Sequence, residues 1–130
     1  MMLGAALFML LLAPAALTAQ EKMPVTTVSP EAEKQFIEGK NQFLLMHFPE
    51  AVDHLTKAVE LDPSFAQAHL YLAIAKTGWT GLDTKHLNKA VTLANEVAKG
   101  EKHLIHYAKA MNDEDQDKIS LYRDNLIEMY

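Results

Sequence analysis

Residues 39–63 read GKNQFLLMHFPEAVDHLTKAVELDP, and this stretch describes two helices meeting at a turn. Its first half completes a run in which Phe36, Ile37, Phe43 and Leu44 recur at helical spacing, with Lys34, Glu38 and Gln42 between them. Pro49 sits where a second helix begins, and Glu50 and Asp53 place negative charge in that helix's first turn. Ala51, Leu55, Ala58 and Val59 then form a stripe at steps of three and four residues. Leu61-Asp62-Pro63 stops the helix, because Pro63 has no N–H and disfavours helical backbone at Asp62. Two helices joined by so short a connector must run antiparallel, as a helical hairpin.

The pattern extends in both directions. Upstream, Ser29 offers an N-cap, Pro30 suits the first helical position, and Glu31 and Glu33 complement the helix dipole. Residues 22–29 show no helical period and read as an extended lead-in. Downstream, a third helix over about residues 64–77 carries Phe65, Ala66, Ala68, Leu70, Leu72, Ala73 and Ile74. A helix apolar on more than one face packs between neighbours. Two glycines break the pattern at residues 76–81. Asp83 or Thr84 then caps a fourth helix bearing Leu87, Ala90, Val91, Leu93, Ala94 and Val97, which Gly100 is expected to end. A fifth helix carries Leu104, Ile105, Tyr107, Ala108 and Met111. The acidic turn at residues 112–115 separates it from a sixth with Ile119, Tyr122, Leu126 and Tyr130. The chain is predicted to be all-α.

Residues 32–65 resemble a tetratricopeptide repeat, a family whose unit is a two-helix hairpin of roughly 34 residues. Phe48, Ala51, Leu55, Ala58, Leu61 and Pro63 match its second helix, and Gly39 matches the small residue of its first. Gln35, Glu38 and Gln42 depart from the pattern, being polar where the family has bulky apolar groups. Residues 66–99 resemble a second repeat, with Leu72, Ala73 and Ala90 at the key positions; about five extra residues near 78–84 separate its helices. Residues 100–130 open with GEKHLI and resemble a divergent third repeat, in which Ile119 and Ser120 compete for the small position. The resemblance implies antiparallel helical hairpins at about 30–63, 64–99 and 100–130, stacked as a short right-handed superhelix. In the family the first helix of each hairpin lines a concave groove that receives a peptide or helix. Carried onto this chain, the partner-binding residues are Glu33, Phe36, Lys40 and Phe43 from the first hairpin. Gln67, Leu70, Ile74 and Thr77 are those of the second.

The first residues, MMLGAALFMLLLAPAALTAQ, combine an apolar run, a helix-breaking Pro14 and small residues before polarity returns at Gln20. That order matches a secretory signal peptide over residues 1–19, cleaved after Ala19, with a linker at 20–29. The run is shorter than the ~20 apolar residues a membrane span needs, so no stable span is expected after cleavage. The resulting location is periplasmic or secreted. The chain has no Cys, which closes disulfides, thiolate metal sites and lipid attachment at a cleavage-site Cys. About 110 mature residues suffice for one domain. A formal charge of −5 with interspersed signs lacks the basic stripe that nucleic acid requires.

Six histidines invite a metal reading, and His103 and His106 stand three apart on one helix, with Glu101 or Asp113 able to join them. The spacing is common by chance, and hydrogen bonding of His106 near the core with a solvated His103 accounts for it better. The acidic run at residues 113–117 lacks the glycine and terminal glutamate of a calcium loop, so capping of the sixth helix by Asp115 or Asp117 explains it. Trp79, between two glycines, is read as covering the gap left by the insertion in preference to anchoring a partner. No phosphate loop, hydrolase elbow or nucleophile–base pairing is present, so neither catalysis nor a cofactor is expected. The expected function is capture of a protein or peptide. The last helix ends with Leu126, Ile127, Met129 and Tyr130, an apolar edge open to self-association or to further repeats. A structural segment of a longer envelope protein is therefore the alternative, and a small-ligand or metal-binding domain the third.

Overall fold

The computed structural model describes residues 23–78 and 81–130. The expected signal segment at residues 1–19 and Trp79 lie outside these residues. Among the described residues every regular element is helical. The helices are α1 (Pro30–Leu44), α2 (Phe48–Leu61), α3 (Ala66–Ala75), α4 (Thr84–Leu93), α5 (Lys99–Asn112) and α6 (Gln116–Met129), with a 3₁₀ turn at Ala94–Glu96. They pair as three antiparallel hairpins, α1 with α2, α3 with α4 and α5 with α6, and α3 packs against both outer hairpins. The chain is all-α.

The N-caps follow the residue chemistry. The Ser29 hydroxyl accepts from the Ala32 N–H at 3.1 Å, Asp83 from His86 N–H at 3.3 Å, and Asp115 from Lys118 N–H at 3.2 Å. Asp83 and not Thr84 therefore caps α4, and Asp115 and not Asp117 caps α6. The C-termini of the first helices show a feature that the sequence pattern does not advertise. After α1, His47 N–H reaches the Gln42 carbonyl and Met46 N–H the Phe43 carbonyl, each at 2.9 Å. After α5, Asp115 N–H reaches Ala110 at 3.0 Å and Glu114 N–H reaches Met111 at 3.3 Å. Both are Schellman endings, in which one left-handed residue satisfies the last carbonyls. Met46 (φ 62°) and Glu114 (φ 55°) occupy the left-handed position, and Gly78 (φ 57°) does so after α3.

Two clusters make the core. Ala32, Phe36, Phe43, Ala51, Leu55, Ala58, Phe65, Ala68 and Leu72 tie hairpin one to α3. Leu70, Ala73, Leu87, Ala90 and Ile105 tie α3 to α4 and α5. Full burial of side chains such as Phe36, Phe65 and Leu55 is worth roughly 1.5–3 kcal/mol each. Phe36 sits 5.0 Å from Phe65 and 5.5 Å, edge-on, from Tyr71, while Phe43 meets Tyr71 at 5.3 Å. These tilted contacts are the favoured aromatic geometry. Gly39 lets α2 approach α1: a Cβ there would lie 2.7 Å from Leu55 Cγ.

One sequence expectation needs correcting, and one open alternative is decided by the element bounds. Helix α4 ends at Leu93 and gives way to the 3₁₀ turn, so Gly100 does not stop it. Val97 and Ala98 are extended, and Gly100 lies in the first turn of α5. The reason for a glycine there is the Tyr130 ring, which a Cβ at Gly100 would overlap. The competition between Ile119 and Ser120 is also resolved by the element bounds. Helix ends at Leu44 and Asn112, left-handed residues at Met46 and Glu114, and helix starts at Phe48 and Gln116 share one offset. That offset makes Ile119 the counterpart of Ala51, and Tyr107 the counterpart of Gly39. Hairpin three thus carries two bulky residues where hairpin one has Gly and Ala, and α6 contains no buried residue.

Candidate functional site

The first helices α1, α3 and α5 share one face of the stack, and a groove of about 670 Å³ opens along it. Phe43 of α1 forms one wall. Leu70, Tyr71 and Ile74 of α3 form the floor, and Leu104, Tyr107, Ala108 and Met111 of α5 the far wall. Leu82 from the α3–α4 loop, Asn112 at the end of α5 and Glu114 just beyond it close one end. The lining is mainly hydrocarbon and aromatic, with polar groups at the margin, as in many sites that take an apolar ligand surface. Lys40 places its ammonium 5.6 Å from the Tyr71 ring centroid, within cation–π range. Burial raises the Tyr71 phenol above its usual value, so it stays neutral and available as a donor.

The eight residues carried over from the family fall into three groups. Phe43, Leu70 and Ile74 border the groove, but Leu70 is 1% and Phe43 7% exposed and both pack in the core, so of the three Ile74 is the one with surface to offer. Glu33 is exposed and Lys40 stands at the margin, over Tyr71. The remaining three are committed elsewhere. Phe36 is 1% exposed and packs in the core, so it offers nothing to a partner. Thr77 turns its hydroxyl onto the Ile74 carbonyl at 3.0 Å and also onto the Gly81 carbonyl. Gln67 is 1% exposed, its amide donating to the Pro24 carbonyl at 3.1 Å and to Glu101 at 2.9 Å.

Neither a family model, nor a curated protein, nor a solved structure matches this chain.

The α5 wall was missed by the sequence reading, although a signal for it existed. Positions 36, 70 and 104 (Phe, Leu, Leu), 40, 74 and 108 (Lys, Ile, Ala) and 43, 77 and 111 (Phe, Thr, Met) advance by one constant step. Applying the step a second time from the α1 set reaches Leu104, Ala108 and Met111. The same step takes Glu33 to Gln67 and then to Glu101.

Glu101 is fully buried at the N-terminus of α5. Its carboxylate accepts from Thr26 N–H at 2.8 Å, the Thr26 hydroxyl, the Gln67 amide at 2.9 Å and Ala98 N–H at 3.2 Å. Ala98 has no side-chain acceptor to return, so Glu101 supplies only the N3 half of a capping box. Four donors satisfy the acceptor capacity of a carboxylate removed from water.

The histidines do other work. His69 and His86 bridge α3 and α4 with their Nδ1 atoms 3.0 Å apart. His69 Nε2 lies 2.9 Å from the Pro63 carbonyl, which can only accept, so that nitrogen carries the proton and its Nδ1 takes one from His86. Burial, foremost, lowers the pKa of both. Tyr122 of α6 packs on both His103 and His106, with ring centroids at 6.0 and 5.3 Å. The expectation that His103 is solvated and His106 hydrogen-bonded is not what the packing shows. His103 Nδ1 is buried without a hydrogen bond, and His106 stacks on the tyrosine. Among the described residues no three His, Asp or Glu side chains are arranged to hold a metal.

Proposed function

We propose that this chain is a tetratricopeptide-like interaction module that captures a protein partner in the groove between α1, α3 and α5. The observation that carries the reading is the lining: an open, mainly apolar channel about 670 Å³ in volume whose walls come from successive first helices. A partner segment presenting apolar side chains to that lining, as an amphipathic helix or an extended strand, gains burial at Tyr71, Leu104, Tyr107 and Met111. The leader at residues 1–19 favours export to the periplasm or cell exterior, with cleavage after Ala19. No catalytic role is assigned.

The test uses residues that project into the groove and are not core. Tyr107→Asp with Met111→Asp should abolish capture of the partner from the organism's own envelope extract while far-UV circular dichroism stays helical. Unchanged capture by the folded double variant rejects the groove. A second reading draws on α6, where Leu121 is 55% and Ile127 69% exposed. Under it, the chain is a structural segment whose open end packs on further repeats or a second copy. Replacing Leu121 and Ile127 by Ser would then change assembly size in sedimentation and leave groove capture intact.

A further inference from the structure

The lead-in at residues 23–27 lies on the same row of side chains as the groove. Gln67 and Glu101, which hold it, stand one helical turn before Leu70 and Leu104, which border the groove, and so share their faces of α3 and α5. The contacts are those by which a protein reads an extended peptide. A side-chain amide from α3 grips a backbone carbonyl, at Pro24. A carboxylate from α5 grips the backbone N–H and hydroxyl of Thr26. Val25 between them packs its side chain against the first core cluster. A further clip joins the Thr27 hydroxyl to Asp62 at 2.6 Å. The lead-in thus occupies side chains one turn ahead of the groove-lining Leu70 and Leu104, and the groove from Phe43 to Met111 stays open.

We propose that Gln67 and Glu101 form a peptide-recognition site, occupied in cis by residues 23–27. It exchanges them for an extended partner segment that presents an apolar residue followed by Ser or Thr. The inference rests on the groove reading and specifies its ligand. Glu101 enforces the selectivity. Releasing the lead-in strips a buried carboxylate of two of its four donors, and only a segment that restores an N–H and a hydroxyl together makes good that loss. Phosphorylated or acidic segments are rejected by the same carboxylate. A Val at the Thr position keeps the shape but lacks the hydroxyl.

The experiment uses the full chain and a fluorescein-labelled peptide of residues 21–29, EKMPVTTVS, followed by anisotropy. Thr26→Val weakens the internal competitor without touching the recognising side chains. Thr27→Val does so through the separate Asp62 clip, and serves if the first variant loses helicity. The peptide should bind a folded Thr26→Val or Thr27→Val chain at least tenfold more tightly than the wild type. A peptide with Val in place of its first Thr should lose at least tenfold. Absence of binding, equal affinity for wild type and variants, or indifference to the Thr in the peptide each overturns the proposal. Tyr107→Asp separates the two readings, because it alters the far end of the groove. If it abolishes partner capture while no peptide exchange occurs, exchange alone fails. If it leaves capture intact, the groove itself fails.

Discussion

Met46 holds a backbone conformation (φ 62°) that a residue with a Cβ adopts at a cost of roughly 1–2 kcal/mol, and its side chain is 66% exposed. Little packing repays that cost, so Met46→Gly should raise the unfolding free energy by about 1 kcal/mol, read as a higher urea midpoint at unchanged slope. An unchanged or lower midpoint would mean that the exposed methionine makes a contribution its solvent exposure conceals. Phe36 is the opposite case. Truncation to Ala removes a ring shared with Phe65 and Tyr71 and should cost about 3–5 kcal/mol, a large share of the ~5–15 kcal/mol available to a domain. Thermal melts of Phe36→Ala test this, and the size of the loss disqualifies that variant as a probe of binding. The family resemblance puts Phe36 on the groove face, and neither it nor helical spacing tells how far the neighbouring helix covers that position. Phe43, two turns later on the same stripe, is buried as well, but its ring meets Tyr71 and Phe48 at the border of the groove.

At the scale of elements, one shared proton adds a polar link to the apolar packing of α3 on α4. His69 and His86 meet nitrogen to nitrogen, with ring centroids 5.3 Å apart and planes inclined by 26°, the end-on arrangement of an N–H···N bond. Charging both rings would set two N–H groups against each other. Asp62 and Lys89 face His69, while Asp83, Lys76 and Lys85 face His86; the carboxylates favour the charged rings and the lysines oppose them. Burial prevails, and both folded-state pKa values lie below the ordinary histidine value. A histidine depressed in this way contributes stability that is intact above its unfolded pKa and is lost as pH falls through that value toward the folded one. The urea midpoint should therefore drop between pH 7 and 5.5. His69→Gln with His86→Gln should flatten that slope without abolishing it, since burial also lowers His103 and His106. An unaltered slope would remove the pair from the account. The six helices and most caps were legible, because proline, serine and aspartate act locally. The α5 wall shows in the sequence only as the constant step from α1, because Tyr107 stands where hairpin one has Gly39 and hides the register.

For the molecule as a whole, order is uneven along the stack. Hairpin one closes on Gly39 and Ala51, with Leu55 fully buried. In hairpin three the equivalent positions are Tyr107, Ile119 and Arg123, and α6 buries no residue completely. Amide hydrogens of α6 should exchange roughly tenfold or more faster than those of α3, whose residues 66–70 are all buried. Equal protection of the two would show that Tyr130 on Gly100 and Tyr122 on the histidines hold α6 more firmly than its burial suggests.

A stack of hairpins is ordinarily a one-dimensional object in which each unit feels only its neighbours and can come apart from either end. The bond from Thr26 to Glu101 breaks that rule, since it spans 75 residues and joins the chain ahead of hairpin one to the third hairpin. Closing so long a loop is entropically slow, and the bond forms only after the intervening helices have ordered. Folding then acquires a late step that linear arrays lack, and denaturation becomes more nearly all-or-none. Severing one hydrogen-bonded contact at the start of the domain would loosen its far end.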